Sequence, residues 1–95
     1  MTDYDSKIIR RKIRVSGSVQ GVGFRYRMEY ASSMVGTTGW VRNEPDGSVL
    51  LEIQGTEEQI DKVFIMVSQG TYVKVENMNV ETIPLLEDEY GFRIK

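Results

Sequence analysis

Residues 13–36, IRVSGSVQGVGFRYRMEYASSMVG, change periodicity once, and the change decides the fold. Ile9, Ile13 and Val15 fall on one face and Arg10, Lys12 and Arg14 on the other, the period of two expected of a half-buried strand. Gly17, Gly21 and Gly23 then interrupt the alternation. From Phe24 the apolar positions Phe24, Met28, Ala31 and Val35 recur at helical spacing, and Gly36 suits a helix C-terminal cap. The stretch therefore predicts strand, glycine loop, helix.

Further along, Thr38 to Asn43 carries aromatic and β-branched residues, Glu44-Pro45-Asp46-Gly47 is turn chemistry, and Val49, Leu51 and Ile53 alternate beyond it, which predicts a hairpin. Thr56-Glu57-Glu58-Gln59 matches a capping box. Behind it, Ile60, Val63, Phe64 and Val67 form one apolar helical stripe that Gly70 should end. Val73 and Val75 open a strand running to about Thr82, residues 84–91 read as loop, and Phe92 and Ile94 suit a short last strand. The order βαββαβ predicts an α+β, ferredoxin-like sandwich: an antiparallel sheet of four to five strands with two helices on one face. Residues 1–6 are expected to be a loose tail, and 7–95 a single domain.

The 95 residues contain no cysteine and no histidine, which removes disulfides, thiolate nucleophiles and the usual zinc ligand sets. No segment has the apolar length of a membrane span or a signal peptide, so a cytoplasmic monomer is expected. Net charge is −2, but seven Lys or Arg against Asp3 and Asp5 make residues 1–27 locally +5. Such an asymmetry suits a small anion, a nucleic acid or simply a solvated strand face. An RNA-recognition module would need a K/R-G-F/Y-G/A-F-V-x-F/Y run, which is missing, so no nucleic-acid partner is expected. Trp40 is assigned to core or sheet surface, Met28, Met34 and Met66 to packing, and Glu57, Glu58, Asp61 and Glu87, Asp88, Glu89 to solvated faces without a metal cluster.

Two segments carry candidate chemistry. The loop Ser18-Val19-Gln20-Gly21-Val22-Gly23-Phe24 leads into a helix, where backbone N–H groups and the helix dipole can cradle a phosphate. Arg25 falls in the first helical turn, where the dipole disfavours a cation unless an anion compensates it, and its planar fork can hold two phosphate oxygens. The same glycines would equally shape a tight turn beneath an exposed arginine. The loop is neither a Walker loop nor a dinucleotide fingerprint, because the Gly-Lys-Ser/Thr ending and the G-x-G-x-x-G spacing are missing. Asn43, ending a strand, has an amide that can accept from a water and donate to a phosphate. It would equally serve to begin a turn.

Val15 to Arg25, VSGSVQGVGFR, and Gly39 to Gly55, GWVRNEPDGSVLLEIQG, together resemble the two signatures of the acylphosphatase family, in the same order and separation. The resemblance covers roughly residues 8–95. It implies the ferredoxin-like fold and metal-free, cofactor-free hydrolysis of acyl phosphates. It also implies phosphate binding by the Ser18–Phe24 loop and Arg25, a water oriented by Asn43, and inorganic phosphate or sulfate as competing anions. Glu44 stands where the family usually has a neutral residue, and its charge is expected to oppose phosphate binding. Gly70-Thr71-Tyr72 replaces a more usual glycine-proline pair. A binding module that captures an anion without turnover is the alternative from another class.

Overall fold

The computed structural model describes residues 7–69 and 73–95. The elements are β1 (Ile8–Ser18), α1 (Phe24–Val35), β2 (Thr38–Asn43), β3 (Val49–Thr56), α2 (Glu57–Ser68), β4 (Lys74–Ile83) and β5 (Phe92–Ile94). The sheet order is β4-β1-β3-β2-β5. The four longer strands pair antiparallel, while β5 lies parallel to β2, with Gly39 opposite Phe92 and Val41 opposite Ile94. The sheet is therefore mixed, because the chain returns through residues 84–91 before its last strand. The proposed tail at residues 1–6, the stop at Gly70 and the Gly70-Thr71-Tyr72 departure lie outside the described residues.

Alternation sets the two faces of the sheet. Ile13, Val15, Val41, Val49, Leu51 and Ile53 point to one side, where they meet Phe24, Met28 and Ala31 of α1 and Ile60, Val63 and Val67 of α2. The capping box of α2 forms as the sequence predicts: Gln59 N donates to Thr56 Oγ1 at 3.1 Å, and Thr56 N donates to Gln59 Oε1 at 2.9 Å. Gly39 needs its missing side chain. At φ 145° the Glu52 carbonyl of β3 occupies the space a Cβ would take, so β2 and β3 approach closely at that point.

The opposite face is partly covered, and the assignment of Glu89 changes there. Arg10 is only 1% exposed. Its Nε donates to Glu52 Oε1 at 2.9 Å, and Nη1 and Nη2 form a fork on Glu89 at 2.7 and 3.1 Å. Gln54 fastens the same loop by exchanging hydrogen bonds with the Leu86 backbone, 3.0 Å outward and 2.9 Å inward. Glu89 is thus buried in an ion pair and is not part of a solvated loop. Met34 is exposed and packs against nothing in the core, whereas Met28 is fully buried. Trp40 is buried, at 9% exposure, on the face away from the helices, with Arg42 and Lys95 over its ring at 5.1 and 4.3 Å.

Burial alone would raise the Glu89 pKa, but hydrogen bonds from Arg10 and Thr38 and the charges of Arg10 and Arg93 outweigh it and hold the carboxyl below its ordinary value. A depressed folded pKa contributes stability that is complete above the unfolded value of about 4.3 and is lost as pH falls through the folded one. Glu89→Gln should therefore be less stable than the parent protein at pH 7, with the gap closing below about pH 4. Urea unfolding across that range measures it, and a gap independent of pH would contradict the assignment.

Candidate anion-binding and catalytic site

The site is built where β1 hands the chain to α1. Val19 and Phe24 are buried in the core at 1% and 2% exposure and fix both ends of the connection. Between them, Gly21 and Gly23 take left-handed backbone at φ 74° and 82°, while Gln20 and Val22 do not. Where such hands alternate with right-handed residues, successive N–H groups can turn toward one side, as in an anion nest. Val19, Gly21, Gly23, Phe24, Arg25 and Tyr26 line a cavity of about 230 Å3 at this corner.

The two helices differ at their N-termini in a way that matters for charge. The first turn of α2 is closed by its capping box and carries Glu57 and Glu58. In α1, Gly23 is the cap residue, no side chain caps the helix, and no acid lies in the first turn. Its N–H groups and positive dipole end are left for another acceptor. Arg25 adds a further positive charge there. It has no ion pair among the described residues, and its guanidinium lies 5.9 Å from the Tyr26 ring centre. Three positive features converge without a protein anion among the described residues.

Asn43 is the last residue of β2 and pairs with Val49. Alternation puts its side chain on the same face as Gly39 and Val41, the side covered by the helices. Its Oδ1 is buried and has no hydrogen-bond donor among the described residues. A buried acceptor without a donor costs about 1–3 kcal/mol, and Ser32 Oγ and Thr37 Oγ1 share that condition.

Gln20 joins the loop to this hairpin. Its Nε2 donates to the carbonyls of Glu44 at 2.7 Å and Ser48 at 2.8 Å, and Glu44 N closes the turn on Ser48 O at 2.8 Å. Asp46 pins the same turn by accepting from Ser48 N at 2.9 Å and Ser48 Oγ at 2.6 Å. The Gln20 bonds span 24 and 28 positions, so no local pattern announces them.

Of the other sequence-predicted residues, Ser18 stays in the β1–β4 ladder opposite Lys74, and the side chains of Val19 and Phe24 serve the core. Glu44 is paired within the chain. Its carboxylate turns to the face of Arg14 and Arg42, receiving Arg42 Nε at 3.0 Å and lying 3.7 Å from Arg14 Nη2. The pleat that points Asn43 toward the helices points Arg42 away from them, and Glu44 follows Arg42. Two guanidinium groups offset its charge on the far side of the sheet.

Fold and site together define a small α+β sandwich with a glycine-lined, positively charged corner between its first strand and first helix. Comparison with known proteins makes this specific. Residues 11–94 match the sequence profile of the acylphosphatase family. The acylphosphatase of Oceanobacillus iheyensis is 43% identical over 86 residues, covering 88% of this chain and 94% of that protein. The crystal structure of acylphosphatase from Bacillus subtilis superimposes with a TM-score of 0.81 at 33% identity, over 92% of this chain and 98% of that one. A Coxiella burnetii acylphosphatase structure gives 0.80 at 32% identity over the whole of both chains. The chain belongs to the acylphosphatase family.

Proposed function

We propose that residues 7–95 act as one catalytic domain that hydrolyses acyl phosphates to a carboxylate and inorganic phosphate. The observation that carries the assignment of roles is the buried Asn43 Oδ1 without a donor, beside a hairpin that Gln20 ties to an anion nest. The Gly21–Gly23 amides and Arg25 hold the phosphoryl oxygens. Asn43 accepts from the attacking water and fixes its direction. The water oxygen bonds to phosphorus, the bond from phosphorus to the carboxyl oxygen breaks, and the carboxylate leaves with the electron pair. The water's proton passes to a phosphate oxygen. Because a carboxylate is a weak base, no general acid is needed, and positioning with charge stabilisation suffices without a metal.

Hydrolysis of benzoyl phosphate in the presence of a chelator, with inorganic phosphate or sulfate as competitive inhibitor, tests the assignment. Phosphate binding without turnover would favour an anion-binding module instead. We further propose a cytoplasmic monomer. Gln20→Ala should lower kcat about 10-fold with little change in phosphate inhibition, because it frees the hairpin from the loop without removing either group. Unchanged kcat in this variant would show that the loop and hairpin hold their spacing without it.

A further inference from the structure

Arg14 stands between Leu50 of β3 and Asn79 of β4, and alternation points its side chain to the sheet face away from the helices. There its guanidinium meets three residues of the turn that follows Asn43. Nη1 donates to Ser48 Oγ at 2.9 Å and lies 3.8 Å from Asp46 Oδ2, while Nη2 lies 3.7 Å from Glu44 Oε1. Ser48 extends the contact, since its hydroxyl donates to Asp46 Oδ1 at 2.6 Å. Hydrogen bonds from the Ser48 hydroxyl and amide, with the charge of Arg14, hold the Asp46 carboxyl below its ordinary value. It therefore remains an acceptor for both at neutral pH.

We infer that Arg14 is a positioning residue for the reaction, setting the direction of the Asn43 amide by fixing, from the far face of the sheet, the turn that Asn43 leads into. The inference rests on the assignment of Asn43 to the attacking water. Asn43 and Val49 form the last rung of the β2–β3 ladder, so no strand pairing beyond them holds the amide in place. The end of a ladder opens more readily than its middle. Two side chains from outside the hairpin grip the residues that follow. Gln20 takes the backbone carbonyls of Glu44 and Ser48, and Arg14 takes the side chains of the same two residues and of Asp46. The two carbonyls define a hinge line about which the turn could rock. Attachment through the Glu44 side chain, on the other face of the pleat, lies off that line and stops the rotation. Glu44 thus serves as the handle by which Arg14 and Arg42 hold the turn. A guanidinium suits this task because its donors lie in one fixed plane and meet several acceptors at once, which an ammonium cannot do.

The test is a kinetic cycle on benzoyl phosphate with the parent protein, Arg14→Ala, Asn43→Ala and the double variant, together with Arg14→Lys. Arg14→Ala should lower kcat about 10-fold, the effect of a displaced group and not a missing one, with KM and inhibition by inorganic phosphate unchanged. In the Asn43→Ala background the same substitution should change kcat by less than about 2-fold, because a residue that acts through Asn43 then has nothing to position. Arg14→Lys should recover little of the loss. The Arg14 side chain is 37% exposed, and ion pairs at such exposure contribute little to folding, so these variants should fold, with unchanged phosphate inhibition as the check. An equal loss in both backgrounds, or unchanged kcat in Arg14→Ala, overturns the inference. So does a rise in KM that lysine restores, which would make Arg14 a distant charge attracting substrate. If the parent protein does not hydrolyse benzoyl phosphate, the hydrolase assignment itself fails. If it does and Asn43→Ala matches it, the assignment of the water to Asn43 fails, and the role of Arg14 with it.

Discussion

Arg25→Ala is expected to lose about 1,000-fold in kcat/KM toward benzoyl phosphate, the upper scale for one transition-state donor plus part of the ground-state binding. Both kinetic constants should suffer: the fork binds phosphoryl oxygens in the ground state and again as charge shifts during transfer. Arg25→Lys should recover only a small part, because a point charge cannot reproduce two parallel donors. The same substitution should leave folding intact. Arg25 has no ion pair among the described residues and stands at the positive end of α1, where a cation costs about 0.3–1 kcal/mol. Arg25→Ala should thus melt at or slightly above the parent temperature while losing its affinity for inorganic phosphate. Near-normal turnover in a folded variant would remove Arg25 from the chemistry.

That opposition between stability and activity explains how much of the site was legible in the sequence. The glycine loop and Arg25 could be read because they break local rules: glycines interrupt a strand pattern, and a cation occupies the wrong end of a helix. The capping box of α2 was legible for the converse reason, since Thr56 and Gln59 satisfy each other within four residues. What stayed hidden depends on contacts between distant residues. The Arg10–Glu89 pair spans 79 positions, and an alternation pattern assigns Arg10 to solvent because it cannot register a loop folding over that face. The ion pairs of Glu44 with Arg14 and Arg42 are hidden for a related reason. One-dimensional proximity to Asn43 suggested proximity to the phosphate, whereas the pleat sends adjacent side chains to opposite faces. The direction of β5 was also out of reach, since three residues carry no signal for parallel or antiparallel pairing.

Asn43→Ala should lower kcat by about 100- to 1,000-fold with KM changed by less than about 2-fold, since it removes a group that acts on water and not on the bound substrate. The distinction from Arg25 lies in that split. Deleting the side chain also deletes the buried acceptor that has no donor among the described residues. Stability should therefore be unchanged or higher by up to about 1 kcal/mol, as expected where a residue is kept for function at a cost to the fold. Asn43→Asp sharpens the test. It keeps the shape and the acceptor but replaces the amide donor with a negative charge facing the phosphate, so KM should rise along with the loss in kcat. If Asn43→Ala instead raised KM with kcat intact, the amide would be holding substrate, and the water would have to be aligned by another group at the Gln20-tied hairpin.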